Sequence, residues 1–232
     1  MLSTRPLIAL IAVAGLALTG CSGSDDPVSK GRSPQEVIAL AKTTLDDTSG
    51  LDLSLTTDDL PDGVSGISGA EGVATDAPAF DGTLTVVTGG NQFQVPVIAV
   101  DGKTWAQIPL TIGWSDVEPG DYGAPEPADL VNPDKGFSAM LAATTDLKAG
   151  KSVRGGADND EILTEYTGVV PGDAMSAVIP SAAGTFWAVY QIADNGELRE
   201  AELTGVFYED TPKMTYTVTF ENYGTTKEIS AP

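Results

Sequence analysis

The chain of 232 residues contains no histidine and one cysteine. Without imidazole there is no Ser-His-Asp or Cys-His catalysis, no histidine-liganded zinc and no histidine pH switch. A single cysteine allows no internal disulfide and no thiolate cluster for a metal or iron–sulfur centre. Basic residues are scarce: 12 Lys and Arg face 33 Asp and Glu, a formal net charge of −21. Nucleic-acid binding needs clustered Lys and Arg, so this polyanion is not made for that partner. Apolar residues make up 41% of the chain and charged ones 19%, which excludes a disordered tail. The length suits one domain or two small ones and can bury a real core.

Long hydrophobic runs are also missing, with one exception at the start. Arg5 is followed by an apolar run from Leu7 to Leu18 and then by Leu18-Thr19-Gly20-Cys21. About a dozen apolar residues are too few to span a bilayer stably and fit the core of a signal peptide. Small residues directly before the only cysteine form a bacterial lipobox. Residues 1–20 are therefore expected to be a lipoprotein signal peptide, cleaved before a lipidated Cys21. Residues 21–32 read as a flexible tether, and 33–232 as one domain. Cleavage leaves 11 basic residues against 33 acidic ones, a formal charge of −22.

Ser33-Pro34-Gln35-Glu36 is a capping box with proline at the first helical position. The spacing predicts a helix to about Asp47, with Val37, Ala41 and Leu45 on one stripe and Gly50 closing it. Leu51, Leu53 and Leu55 alternate as a strand. Residues 58–82 are rich in Gly, Asp and Pro; with Gly63, Gly66, Gly69 and Gly72 they predict a flexible loop or an irregular edge strand. A strand follows at Thr83–Thr88, with Leu84 and Val86 on one face. Asp101-Gly102 predicts a tight hairpin pairing Val100 with Lys103, Ala99 with Thr104, Val97 with Ala106 and Val95 with Ile108. Its apolar face is then Phe93, Val95, Val97, Ala99, Ala106 and Ile108.

Residues 113–131 read as a surface excursion. Asn132-Pro133 is expected to cap a second helix bearing Phe137, Met140, Leu141 and Thr144. Strands are predicted at Lys151–Arg154 and Glu161–Val170, with a short helix at Asp173–Ile179 between them and the next hairpin. That hairpin, across Asn195-Gly196, has the apolar face Phe186, Ala188, Tyr190, Ile192, Ala201, Leu203 and Gly205, interrupted by Arg199. Met214, Tyr216, Val218 and Phe220 alternate in a last strand. The whole predicts an α+β fold: a curved antiparallel sheet with helices on its concave face. Ala99, Ala106, Ala188, Ala201 and Gly205 are small for inner positions. They either leave a cavity or admit closely packed helices, and composition does not decide between the two.

Catalytic and nucleotide motifs fail. Gly150-Lys151-Ser152 resembles the end of a P-loop, but Thr145 stands where the first glycine belongs and the tripeptide follows a helix. No Ser-x-x-Lys or Gly-x-Ser-x-Gly occurs. Asp158-Asn159-Asp160-Glu161 lacks the turn glycine of an EF-hand and reads as a solvated hairpin tip. No enzyme activity, metal or cofactor is expected.

Several segments resemble the LppX/LprAFG lipoproteins of mycobacteria and their relatives. They are the lipobox, Val100-Asp101-Gly102-Lys103-Thr104-Trp105-Ala106, Trp114-Ser115-Asp116 and Leu130-Val131-Asn132-Pro133-Asp134-Lys135-Gly136. Asn195-Gly196-Glu197-Leu198 and Phe220-Glu221-Asn222-Tyr223-Gly224 complete the set. The resemblance implies a β half-barrel wrapped on helices around a hydrophobic cavity for the acyl chains of triacylated glycolipids or triacylglycerol. It also implies transfer of such lipids across the cell envelope, in some members with a major-facilitator exporter. On that resemblance the cavity is expected to be lined by Leu84, Val86, Phe93, Val95, Val97, Ala99, Ala106, Phe137, Met140, Leu141, Ala188, Tyr190 and Leu203. The protein would be a monomer, held by Cys21 on the extracytoplasmic face of the cell membrane. Its acidity disfavours anionic headgroups near the cavity rim. The alternative is a surface or scaffold lipoprotein with a packed core that assists a transporter or cell-wall enzyme.

Overall fold

Eleven strands form one antiparallel sheet in a computed structural model, which describes residues 27–156 and 159–232. The signal segment 1–20, Cys21 and the first part of the tether lie outside the described residues. So do Ala157 and Asp158 of the acidic hairpin tip. The elements are α1 (Pro34–Asp46), β1 (Gly50–Thr56), β2 (Gly66–Thr75), β3 (Ala79–Thr88), β4 (Asn91–Val100), β5 (Lys103–Ala106) and β6 (Ser115–Val117). Then come α2 (Phe137–Ala143), β7 (Thr145–Gly155), β8 (Glu161–Val170), α3 (Gly172–Val178), β9 (Ala183–Ala193), β10 (Leu198–Val206) and β11 (Met214–Glu221). The sheet order is β6-β5-β4-β3-β2-β1-β11-β10-β9-β8-β7, a curved sheet with two free edges. The β7 edge carries Lys148, Lys151 and Arg154, charges that guard an open edge against further pairing.

Two hairpins follow the expected turns. Val100 pairs with Lys103, Ala99 with Thr104 and Val97 with Ala106. Pairing stops there: the Gln107 amide still reaches the Pro96 carbonyl, but Ile108 precedes Pro109 and turns out of the ladder. The expected Val95–Ile108 pair is absent. In the second hairpin a bulge between Leu198 and Glu200 corrects the expected face. It turns Leu198 fully inward opposite Ile192. Arg199 leaves the apolar face, bonds Glu161 and Glu197, and lies over the Tyr223 ring.

Residues 58–82 differ most from expectation. They contain β2 and the start of β3, interior strands between β1 and β4. Gly72 pairs with Gly82, and the Phe80 ring lies over both. A Cβ at Gly72 would meet that ring at 2.5 Å, and one at Gly82 would meet the Glu71 carbonyl oxygen at 2.3 Å. The glycines that hide the strand in the sequence are there so that an aromatic ring can lie flat on the sheet.

The capping box of α1 forms: the Glu36 amide donates to Ser33 Oγ and the Ser33 amide to Glu36 Oε2. Gly50 does not close this helix. It opens β1, where a Cβ would sit 2.6 Å from the Thr225 carbonyl oxygen. Residues 27–32, expected within the tether, form a turn. The Val28 amide donates to the Asp194 carbonyl and its side chain packs against the core. The second helix begins at Phe137, four residues later than Asn132-Pro133 suggests. Asn132 instead accepts the Asp134 amide on its side chain and the Gly136 amide on its carbonyl, a turn ahead of the helix.

The strand directions define two ends. The chain reaches the sheet beside Asp194, at the end with the Asp101-Gly102 and Asn195-Gly196 turns. The Gly89-Gly90 turn marks the other, distal end. The three helices cover the β7–β11 half of the concave face. There the small residues admit close packing: the Phe186 ring fills the space over Gly205, and α3 lies against β9. The β1–β5 half is covered by residues 115–131, most of the 113–131 segment expected to be a surface excursion. It carries β6 and two 3-10 turns, Pro119–Tyr122 and Pro127–Asp129, with Pro119, Pro127, Ala128 and Val131 buried. Pro119 and Pro127 open the two 3-10 turns, and with Pro125 they line the cavity below.

Candidate functional site

Under that proline-rich cover lies a cavity of about 600 Å³, within the size range of small-molecule sites. Its floor follows from strand register. Val95, Leu84, Ala70, Leu55 and Val218 are successive cross-strand partners on β4, β3, β2, β1 and β11. They share the inward face, and all five line the cavity. The same row continues into Ala201, Tyr190 and Tyr166 beneath the helices. One half of a single inward row is thus covered by helices and the other half is left open.

Aromatic rings separate the halves. Phe186, Phe207 and Tyr216 stack edge to face at 4.8 and 4.7 Å, and Phe137 meets Phe220 at 5.1 Å. Phe137, Phe207 and Tyr216 present their open sides to the cavity. Tyr216 also bonds across to the start of β2: its hydroxyl donates to the Ile67 carbonyl and meets the Tyr208 hydroxyl at 2.8 Å. Tyr208 Oη in turn accepts the Ile67 amide at 3.1 Å. Burial pushes the Tyr216 phenol well above its ordinary range, so it stays protonated and able to donate.

Among the described residues, no charged side chain lines the cavity. The serine and threonine hydroxyls at its wall are already paired. Ser54 bonds Thr219, Ser65 bonds Thr88, Thr104 donates to Glu126 and Ser181 donates to the Gly123 carbonyl. A guest meets apolar surface and shape there, with the serine and threonine hydroxyls of the wall turned to the protein's own groups. Such a surface binds by removing apolar area from water.

Of the expected lining residues, Leu84, Val86, Phe93, Val95, Val97, Ala106, Phe137 and Leu203 lie on the cavity wall. Ala99, Met140, Leu141, Ala188 and Tyr190 do not. All five are buried in the packed core. Tyr190 is held there by a 2.8 Å bond to Thr144 Oγ1, which itself closes α2 on the Met140 carbonyl. Burial keeps the Tyr190 phenol protonated as well. Several wall residues escaped the sequence reading. Ile67 and Ala70 lie in the glycine-rich stretch, and Leu55, Tyr216 and Val218 show as alternating strand residues without any cue to a hollow. Val117, Pro119 and Leu130 belong to the cover.

A model of the LppX_LprAFG lipoprotein family matches residues 33–230. The chain belongs to this family. It is 31% identical over 191 residues to the lipoarabinomannan carrier protein LprG of Mycobacteroides abscessus, covering 75% of this chain and 77% of that protein. It is 25% identical over 177 residues to the protein of the same name in Mycobacterium tuberculosis H37Rv, covering 75% and 72%. The crystal structure of LprF from Mycobacterium bovis superimposes with a TM-score of 0.69 at 12% identity, over 89% of this chain and 99% of that one. That of the Mycobacterium tuberculosis lipoprotein LppX gives 0.63 at 17%, over 85% and 98%. The two structures share the fold, an unclosed α+β half-barrel.

Proposed function

We propose that this LppX/LprAFG member is a carrier that holds the acyl chains of a lipid in the cavity and moves them through the cell envelope without a catalytic step. One observation carries the reading: a large cavity in a strongly charged protein, with no charged residue among the described residues of its wall. Each methylene withdrawn from water into it contributes about 0.8 kcal/mol. Related proteins named as lipoarabinomannan carriers support a cargo with a sugar headgroup. We assign the cargo to triacylated glycolipids or triacylglycerol, with the headgroup outside the cavity. The excess of acids over bases disfavours an anionic group at the rim. Cys21 is the assigned lipidation site and membrane attachment on the extracytoplasmic face, after removal of residues 1–20. A major-facilitator exporter is a candidate partner, and the carrier acts as a monomer.

The test is mass spectrometry of organic extracts from the purified protein under mild handling. Di- or triacylated lipid in near-stoichiometric amount is expected. Repeated empty preparations would favour the packed scaffold.

A further inference from the structure

The cavity wall does not stop at the protein surface. Ile108, Pro109 and Leu110 form part of it, in the loop between β5 and β6. At the loop tip Leu110 and Ile112 are fully exposed, at 105% and 103%. Thr111 holds this shape, donating from both its amide and its hydroxyl to the Ile108 carbonyl. Leu110 adopts φ 70°, a region that branched side chains rarely visit, and Gly113 follows at φ 78°. The backbone is thus fixed in an unfavourable turn that presents two large apolar side chains to solvent. From Thr104 to Ser115 no residue is charged, in a chain where nearly one residue in five is. Trp114, partly buried, stands at the base of the loop.

We infer that this loop inserts into the surface of a lipid bilayer, and that acyl chains cross between bilayer and cavity past Leu110. The inference rests on the carrier reading above. A chain leaving the cavity slides along Ile108, Pro109 and Leu110, and it avoids water only if the rim itself lies among lipid tails. An uncharged tip of leucine and isoleucine with a tryptophan at its base has the make-up of an interfacial anchor. Two side chains on a loop tip are far too little for a stable protein–protein interface, which buries upward of about 1,000 Å².

Ile112 is the residue to change, because it is exposed and lies outside the cavity wall. The full chain is assayed for a fluorescent triacylglycerol analogue moving between phosphatidylcholine vesicles, alongside the lipid content of each protein. Ile112→Glu should keep its bound lipid and fold but transfer about tenfold more slowly, the equivalent of 1.4 kcal/mol of lost apolar insertion. Ile112→Trp should transfer at the wild-type rate, and brominated phosphatidylcholine should quench its fluorescence more than that of the wild type. Wild-type transfer by Ile112→Glu, or no added quenching in Ile112→Trp, would overturn the inference. So would a dimer in solution that Ile112→Glu dissociates. If wild type and variants alike hold no lipid, the carrier reading falls, while the quenching result still decides whether the loop enters the bilayer.

Discussion

Leu84→Trp separates a cavity from a packed core in two measurements. Leu84 lies mid-strand on β3 between Ala70 and Val95, half-buried and facing the cavity. Its cross-strand neighbour Ala70 is small, so an indole here extends into open volume. A tryptophan adds about six side-chain heavy atoms to those of leucine and displaces cargo of similar bulk. Six methylenes at about 0.8 kcal/mol each set an upper bound near 5 kcal/mol of lost burial. If the acyl chain shifts to recover half, the remaining ~2 kcal/mol still weakens binding more than tenfold. In a packed core the same substitution would cost about 1–3 kcal/mol of stability and lower the melting temperature. The expected result is therefore a thermal midpoint near that of the wild type, with bound lipid per protein strongly reduced. The assays are thermal unfolding by circular dichroism and mass spectrometry of extracted lipid. A well-folded Leu84→Trp protein carrying as much lipid as the wild type would refute the reasoning. Marked destabilisation together with an empty wild type would favour the scaffold.

Thr144→Val keeps the shape of the side chain but leaves the buried Tyr190 hydroxyl unpaired, a loss of about 1–3 kcal/mol in chemical denaturation; Tyr190→Phe in the same protein should recover part of it, and full stability of Thr144→Val alone would contradict the role of this bond. Tyr166, Tyr190, Tyr216 and Tyr223 all have phenols pushed up by burial. The unfolded chain ionises them near pH 10, so the stability they contribute is complete below that pH and is lost as pH rises through it toward their folded values. Absorbance titration should show their tyrosinate signal only as circular dichroism reports unfolding, and ionisation near pH 10 in an intact fold would contradict this. Cys21→Ser should abolish labelling by a fatty-acid probe and leave the melting temperature unchanged, since the core begins beyond it; persistent label would defeat the lipobox reading.

The sequence showed most clearly what backbone and turn chemistry dictate locally. Asp101-Gly102 and Asn195-Gly196 set hairpin registers because few residue pairs adopt tight reversed turns, and the capping box at Ser33 marked a helix start that the structure repeats. Leu84, Val86, Phe93 and Val95 could be put on an inward face by alternation alone. What alternation cannot say is whether an inward face meets a helix or a void. Ala70 and Ala201 share one row of the sheet, yet one borders the cavity and the other lies in the packed core. The difference comes from what crosses above them, a matter of long-range packing. Met140, Leu141 and Tyr190 point inward like the residues of the cavity wall, yet they lie in the packed core. Residues 58–82 read as a flexible loop or an irregular edge strand because glycine has low strand propensity, while Gly72 and Gly82 leave room for the Phe80 ring that a local reading cannot see. The prolines of 115–131 likewise suggest a surface loop, and only their burial shows that they form the cavity roof.

Where the chain joins the sheet has a bearing on reach. Val28 docks beside Asp194, at the end of the half-barrel opposite the Gly89-Gly90 turn. Strand β4, ten residues long, measures about 30 Å between these ends. Only six peptide units separate Cys21 from Pro27, and they extend to about 20 Å at most whatever path they take. A molecule held by its acylated cysteine could not stand with its distal end pressed on that same bilayer. It would have to lie flat along the surface, or stand upright and hold that end up to about 50 Å away. Upright, one anchored molecule would span a gap between two surfaces as a short crane does, unloading on the far side without letting go of the near one. The working radius of that crane is set by residues 21–27, so inserting a flexible segment there should widen the gap it can bridge without altering what it holds.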